Sequence, residues 1–434
     1  MGLGLELAIT LGLFLLLMAI GVDIAIAMMV PALMYFVLEG GFAALNSIAF
    51  VSWGTLNSFT MTAVPLFLLM AEILGVSGLS TRVYDGLGKL VALLPGGLLQ
   101  TNIAGCAMFA SVSGSSIATA ASIGRVAFPQ LAARRYDVPL STGSLAAGGT
   151  LGILIPPSLA MIIYSGLTQT STPKLFMAGM VPGLLLAGVF MVYIAIRCII
   201  DPSLAPKERT IKSIPEGLQA VGSVAPFFVI IVGTLGSLYM GWATTTEAAA
   251  IGCFLSILLG WMFGSLTFRK FYAALMKTVV ISTSLLFLVL SAFLFNAALG
   301  FGGLNEEFNS FVLSLSLTKA EFYTAIFLMY LILGMFIESI PMILLTVPLI
   351  FPLLATYGID PILFGVLIVM FIELALLTPP VGVNLFVIQG ISGVPLGAII
   401  RGAAPFAAII FASAIVLVIW PEIALWLPRR MSGG

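Results

Sequence analysis

Residues 375–392 read ALLTPPVGVNLFVIQGIS. Both flanks are apolar enough to lie in lipid, yet the middle holds Thr378, the adjacent prolines Pro379 and Pro380, Gly382 and Asn384. Two prolines remove two amide donors and disrupt a helix. Inside a bilayer, irregular backbone is tolerated only against protein or a watery cavity. The stretch therefore marks a membrane helix interrupted where an internal site can use the freed carbonyls and amides.

The surroundings support a membrane setting. Of the 434 residues 61% are hydrophobic and only 8% charged, against about 25% charged in a soluble domain. Apolar runs long enough to span a bilayer, roughly 17–25 residues, recur along the whole chain, and no soluble domain stands out. Lys+Arg and Asp+Glu are both 17, so net charge points to no nucleic-acid partner. Histidine is absent, which rules out His metal sites, His bases and haem ligation by His. Cys106, Cys198 and Cys253 are far apart and match no metal or redox spacing. The N-terminus MGLGLELAIT lacks a basic n-region, so no cleaved signal peptide is expected.

The double proline occurs twice. An offset of 223 residues superposes Pro156–Pro157 on Pro379–Pro380, Gly179 on Gly402, and Pro182 on Pro405. It also pairs Ser116 with Ser339, Pro129 with Pro352 and Asp137 with Asp360. Helix breakers in constant register predict two repeats. We expect residues 1–200 to form the first, 201–221 a cytoplasmic linker, and 222–426 the second. The first repeat reads as helices over 3–20 and 22–38, one crossing within 48–74, a segment over 95–135, a broken helix over 140–168 and a closing helix over 175–200.

Segment 95–135 centres on SVSGSSIATA, six of whose ten residues are Gly, Ser or Thr. Its ends are basic at Lys89, Arg134 and Arg135, so both face the cytoplasm under the positive-inside rule. The expected geometry is a re-entrant hairpin with its polar tip at membrane depth. Five full crossings then remain per repeat, an odd number, which predicts inverted topology for the second repeat. Its hairpin (320–358) is flanked by the acidic Glu306, Glu307, Glu321 and Asp360. The basic Arg82, Lys207, Arg209, Lys212, Arg269 and Lys270 fall on the cytoplasmic side, whereas Arg429 and Arg430 are placed outside. The predicted fold is all-α and polytopic, with about ten transmembrane helices, two of them discontinuous (140–168 and 361–391), plus two re-entrant hairpins.

Inverted repeats with broken helices and mid-depth polar residues point to a secondary transporter. Freed carbonyls and hydroxyls suit a dehydrated Na⁺, and half-helix N-termini suit a carboxylate. One cation site is expected among Ser113, Gly114, Ser115, Ser116, Gly149, Thr150 and Pro156. The other is expected where Glu338 and Ser339 meet Thr378, Pro379 and Gly382. Ser116, Arg125, Pro157, Ser158 and Asn384 are candidate substrate ligands. Any single Ser or Gly could equally serve close helix packing. Arg125 either pairs with a substrate carboxylate or bridges to a buried glutamate. Glu72, Glu247 and Glu373 have no obvious cation partner in the sequence, and structural roles are favoured over proton coupling. Trp242, Trp261, Trp420 and Trp426 read as interfacial anchors.

In order along the chain, SVSGSSIATAASIG with FPQL, GILIPPS, AGMVPG, WATTTEAAAIG and LLTPPVGVNLFVIQGIS resemble the large membrane (M) subunit of TRAP transporters, the tripartite ATP-independent periplasmic transporters. The resemblance covers residues 5–425. It implies an elevator mechanism, Na⁺ as the coupling ion with no other cofactor, and a place in the bacterial inner membrane. It also implies a separate small four-helix membrane subunit of Q type and a periplasmic binding protein of P type. The cargo would be an organic acid such as a C4-dicarboxylate or sialic acid. Arg125 departs from the small or polar residue expected there. The alternative is a divalent-anion/Na⁺ symporter working without a binding protein, but its expected Ser-Asn-Thr tips are replaced here by SGSS and ESIP. An enzyme is not expected: Asp23, Asp85, Asp137, Asp201 and Asp360 lie at span ends or in loops, no GxGD occurs, and a Ser–His dyad is impossible without histidine.

Overall fold

The computed structural model describes residues 3–40, 44–91, 93–206 and 214–431, and every regular element among them is helical. The basic linker residues Lys207, Arg209 and Lys212 lie outside the described residues.

Two 17-residue helices open the chain, α1 (Leu3–Ala19) and α2 (Ile24–Gly40), parted by a turn in which Gly21 takes φ 82°. Stretch 48–74, expected as one crossing, is instead covered by two helices, α3 (Ala44–Leu56) and α4 (Phe59–Val76). The break falls at Asn57–Ser58, where Ser58 is extended (φ −74°, ψ 122°). Asn and Ser compete with the helical backbone for hydrogen bonds and favour helix ends, a signal that hydropathy alone masks. Then α5 (Leu79–Leu90) lies along α11 (Ile214–Ile231).

The first hairpin is α6 (Leu98–Ser113) and α7 (Ser116–Ala133), packed on each other. At 1.5 Å per residue these arms reach only about 24–27 Å, short of the roughly 30 Å hydrocarbon core. The first broken helix is α8 (Val138–Leu154) with α9 (Leu159–Thr168), followed by the 29-residue α10 (Thr172–Ile200). Asp137 caps α8 by accepting from Leu140 N at 2.8 Å, with Pro139 in the first turn. After the linker, α11 passes through a π-helical turn into α12 (Ser237–Tyr239), and α13 (Thr245–Met262) and α14 (Phe268–Phe301) follow.

The last third holds α15 (Leu304–Ser314), α16 (Lys319–Leu333), α17 (Ser339–Ile350), α18 (Leu353–Thr356), α19 (Pro361–Ala375), α20 (Val383–Ser392), α21 (Leu396–Ile419) and α22 (Glu422–Met431). Asp360 caps α19 through Ile362 N and Leu363 N, ahead of Pro361 at the first turn. Thus α7 and α17, α8 and α19, α9 and α20, and α10 and α21 begin at or within two residues of the 223-residue offset.

Seven helices among the described residues are long and apolar enough to cross a membrane, and six shorter apolar ones accompany them. The chain is a multi-pass membrane protein. Two packed groups emerge. Helices α1–α4, α11, α13 and α14 form one; α6–α10 and α16–α22 form the other around α8. Every residue of α8 from Leu140 to Leu154 is buried. Its approach to α21 requires Gly143 against Gly402, since a Cβ on either would collide with backbone.

Two acidic residues without an obvious cation partner in the sequence find partners in the structure. Glu72 on α4 pairs with Lys277 on α14 at 2.8 Å. Glu247 forms a capping box with Thr244, accepting from Thr244 N at 2.8 Å. The four tryptophans read as anchors, Trp242, Trp261, Trp420 and Trp426, are all exposed.

Candidate functional site

The first hairpin turns on Gly114, whose φ of 62° is left-handed. Next to it Ser115 is extended and caps α7 by accepting from Ala118 N. Thr119 ties the turn together: its hydroxyl donates to Ser115 O at 2.8 Å and lies 2.6 Å from Ser113 Oγ. The tip is therefore a rigid knot of hydroxyls and carbonyls, with Ser113 and Ser116 buried.

This tip rests on the first break. Leu159 N donates to Gly114 O at 3.2 Å, across the two elements. A Cβ on Gly114 would come within 2.9 Å of Pro157 O, and one on Gly152 within 2.5 Å of Ser115 O. Gly149 likewise admits Ala120, whose Cβ would lie 2.5 Å from an added Cβ. Pro156, Pro157 and Ser158 are all buried. Ser158 closes the break by donating to Ile153 O at 2.6 Å and accepting from Met161 N. Thr150 donates to Ala147 O at 2.8 Å. The residues of the first expected cation site thus lie together, although most of their hydrogen-bonding capacity is engaged internally.

The second tip is placed differently from the sequence expectation. Glu338 and Ser339 face Gly114, Ser115 and Ser116 of the first tip across a cavity of about 20 Å³, enough for one water-sized occupant. The second break reaches that cavity at Leu376, while Thr378, Pro379 and Gly382 do not line it. Glu338 stands at the N-cap position of α17 yet makes no capping bond to it. Thr378 donates to Leu374 O at 2.7 Å, Pro379 and Pro380 are exposed, and Gly382 takes φ 48° to start α20. Both double prolines are joined by cis peptides.

The halves are interlocked. α20 packs on α7, and α17 packs on α9, so the second arm of each hairpin meets the second half of the other broken helix. Asn384 carries this link: its Nδ2 donates to Ser116 Oγ at 2.6 Å and to Ala146 O at 3.2 Å. Asn384 Oδ1 is buried and has no hydrogen-bond partner among the described residues. Two candidate substrate ligands, Ser116 and Asn384, are thereby brought into contact although 268 residues apart.

Arg125 is exposed on α7, makes no ion pair with a buried glutamate among the described residues and does not line the cavity. Thr119, Gly152 and the Leu159 amide are functional neighbours that sequence reading missed. The signal for Thr119 was its spacing, four residues past Ser115 on one helix face. Nothing local marks Leu159. Among the described residues no cluster of His, Cys, Asp or Glu could hold a transition metal.

Residues 11–423 match the family described as "Tripartite ATP-independent periplasmic transporter, DctM component". The chain is 34% identical over 387 residues to the C4-dicarboxylate TRAP transporter large permease protein DctM of Pseudomonas aeruginosa, covering 89% of this chain and 90% of that one. It is 28% identical to the sialic acid TRAP transporter large permease protein SiaM of Vibrio cholerae, covering 94% and 95%. It is 30% identical to the isethionate TRAP transporter permease protein DctMQ of Oleidesulfovibrio alaskensis, covering 93% of this chain and 63% of that one. In fold it is similar to the YdaH transporter of Alcanivorax borkumensis, with TM-score 0.65 at 14% identity over 90% of this chain and 91% of that one.

Proposed function

The chain belongs to the DctM component family of tripartite ATP-independent periplasmic transporters, and on that premise we propose that it carries a small organic acid across the bacterial inner membrane by Na⁺-coupled elevator movement. It is a multi-pass inner-membrane permease and not an enzyme. The cargo class is taken from relatives named for C4-dicarboxylates, sialic acid and isethionate. Those share a compact acid group, which the half-helix N-termini and hydroxyls of the two tips suit. In this reading the chain works with a small membrane subunit and a periplasmic binding protein, and one relative's printed name joins M to Q.

The observation that carries the reading is the convergence of both tips on one small cavity beside the first break. Ser115, Ser116, Glu338 and Ser339 line it and offer oxygen ligands without a basic neighbour among the cavity-lining residues, with Ser113 directly behind them in the first tip. Oxygen ligands of this kind suit a hard monovalent cation. Gly149, Thr150 and Pro156 back the first cation position, and Thr378, Pro379 and Gly382 form the edge of the second, in a transport unit built on inverted repeats. Pro157, Ser158, Asn384 and Arg125 stand as candidate substrate contacts.

The test is uptake in proteoliposomes with the partner subunits, a panel of binding proteins loaded with organic acids, and a Na⁺ gradient imposed or withheld. Uptake is expected only with the gradient and only for acids the binding protein carries. Uptake of equal size without Na⁺ defeats the coupling, and uptake of none of the acids defeats the cargo class.

A further inference from the structure

We propose that the carboxyl of Glu373 is a proton-binding site, held as the neutral acid when the bundle is packed as it is here. Glu373 lies in α19, two residues before that helix ends at Ala375. It is 0% exposed, and neither carboxyl oxygen has a hydrogen-bond partner among the described residues. Two other intramembrane carboxylates are provided for: Glu72 has Lys277, and Glu247 caps α13. Glu338 lines the cavity between the tips. Glu373, by contrast, is fully buried with no counter-charge and no donor among the described residues.

The elements packed on α19 are α8, α9, α10, α16, α21 and α22. α8 carries no titratable side chain. On α9, Tyr164 donates its hydroxyl to Pro361 O, at the far end of α19. On α16, Lys319 donates to Gly358 O, Glu321 is committed to the Thr318 cap, Tyr330 shares a hydrogen bond with Thr346, and Tyr323 is buried. On α10, Lys174 is exposed, Arg197 reaches Tyr193, and Cys198 is buried. α21 offers Arg401, which is exposed, and on α22 Glu422 pairs with Arg429 while Arg430 covers Trp426. Asp360 caps the start of α19 itself, about 20 Å along the axis from Glu373 at 1.5 Å per residue. None of these reaches the Glu373 carboxyl.

An ionised carboxylate buried among packed helices with neither counter-charge nor donor is far more costly than the neutral acid. A proton removes that cost without any further ligand. At the matching position of the first broken helix stands Thr150, a neutral group satisfied by Ala147 O. The ionisable group is thus confined to the second broken helix. Pro379 and Pro380 are exposed six and seven residues further on.

The test uses the full chain in lipid nanodiscs, as wild type, Glu373→Gln and Glu338→Gln. The infrared spectrum of the wild type at neutral pH is expected to show the carbonyl stretch of a protonated carboxylic acid. That band should persist in Glu338→Gln and be lost in Glu373→Gln. Melting supplies an independent readout. With the acid neutral when folded and ionised when unfolded, the unfolded chain binds fewer protons, so wild-type stability falls as pH rises above the range of an exposed glutamate. Glutamine carries no such loss. The melting temperature of Glu373→Gln minus that of the wild type should therefore increase with pH. A difference flat in pH, or an acid band unchanged in Glu373→Gln, overturns the proposal. Should that variant not fold, absence of any acid band in the neutral wild type overturns it as well. Neither readout involves Na⁺ or cargo, so failure here leaves the transport reading standing.

Discussion

The two broken helices share a proline framework but not an environment. The first, 138–168, is sealed: its break is wholly buried, and Ser158 satisfies the freed Ile153 carbonyl locally. The second, 361–392, is half open: Pro379 and Pro380 are exposed, Gly382 starts α20 without a side-chain cap, and Asn384 is lent to the opposite hairpin. The first break therefore reads as a fixed seat for the hairpin tip. The second reads as the adaptable side, where backbone oxygens remain within reach of solvent. A repeat preserves where a helix breaks, while the neighbours decide what the break is free to bind.

The largest effect that would break this contrast lies at Gly152. A Cβ there would sit 2.5 Å from Ser115 O and 2.6 Å from Thr119 Oγ1, one of them backbone that cannot swing away. Gly152→Val is expected to cost at least ~3 kcal/mol and to abolish the monodisperse peak in fluorescence-detected gel filtration. The position 223 residues on is already Ala375. Ala375→Gly should cost only about 0.5–1 kcal/mol, and equal damage at both sites would refute the claim of a sealed first break.

Next comes Asn384. Replacing it with leucine removes the bond to the buried Ser116 hydroxyl and the added one to Ala146 O, a loss of about 1–3 kcal/mol that should appear as a lower melting temperature. At the register-related Met161, Met161→Leu should cost under about 1.5 kcal/mol. A smaller penalty at Asn384 than at Met161 would mean that the cross-link between halves contributes little.

Ser158→Ala removes a cap, worth about 0.5–2 kcal/mol, whereas Thr378→Ala should lower stability less because Thr378 is only half-buried and bonds only within its own turn. If Thr378 also holds Na⁺, its alanine variant needs more Na⁺ for half-maximal uptake, and Ser115→Ala should do the same. Unchanged Na⁺ dependence in both would remove them from the cation sites. The smallest stability effect is expected at Arg125: the exposed side chain makes no ion pair, so Arg125→Ala should stay within about 0.5 kcal/mol of wild type. A fall in uptake at that unchanged stability would then assign it to cargo, and unchanged uptake would release it from that role.

Much of this was legible from local chemistry. Asp137 with Pro139 and Asp360 with Pro361 announce helix starts in the sequence, and the structure caps α8 and α19 there. The Gly and Ser run at 111–120 foretold a tip between α6 and α7. Other features were not legible because they depend on partners remote in sequence. The Lys277 partner of Glu72 is 205 residues away. The meeting of the second tip with the first, rather than with Thr378 and Gly382, follows from α17 packing on α9. The split of 48–74 into α3 and α4 was hidden because a two-residue polar turn barely alters the hydropathy of the window.

By itself the sequence determined that this chain lives in a bilayer, where its two proline-broken helices are interrupted, and which family it joins. Each of these rests on short-range physics: transfer of apolar side chains, missing proline amides, and capping oxygens within three residues of the amides they serve. Tertiary structure alone decided which tip faces which break, why one double proline is sealed and the other exposed, and that Glu373 is left without a partner. Those outcomes depend on burial and on contacts between segments hundreds of residues apart, and desolvation is a property of the packed bundle that no residue carries on its own.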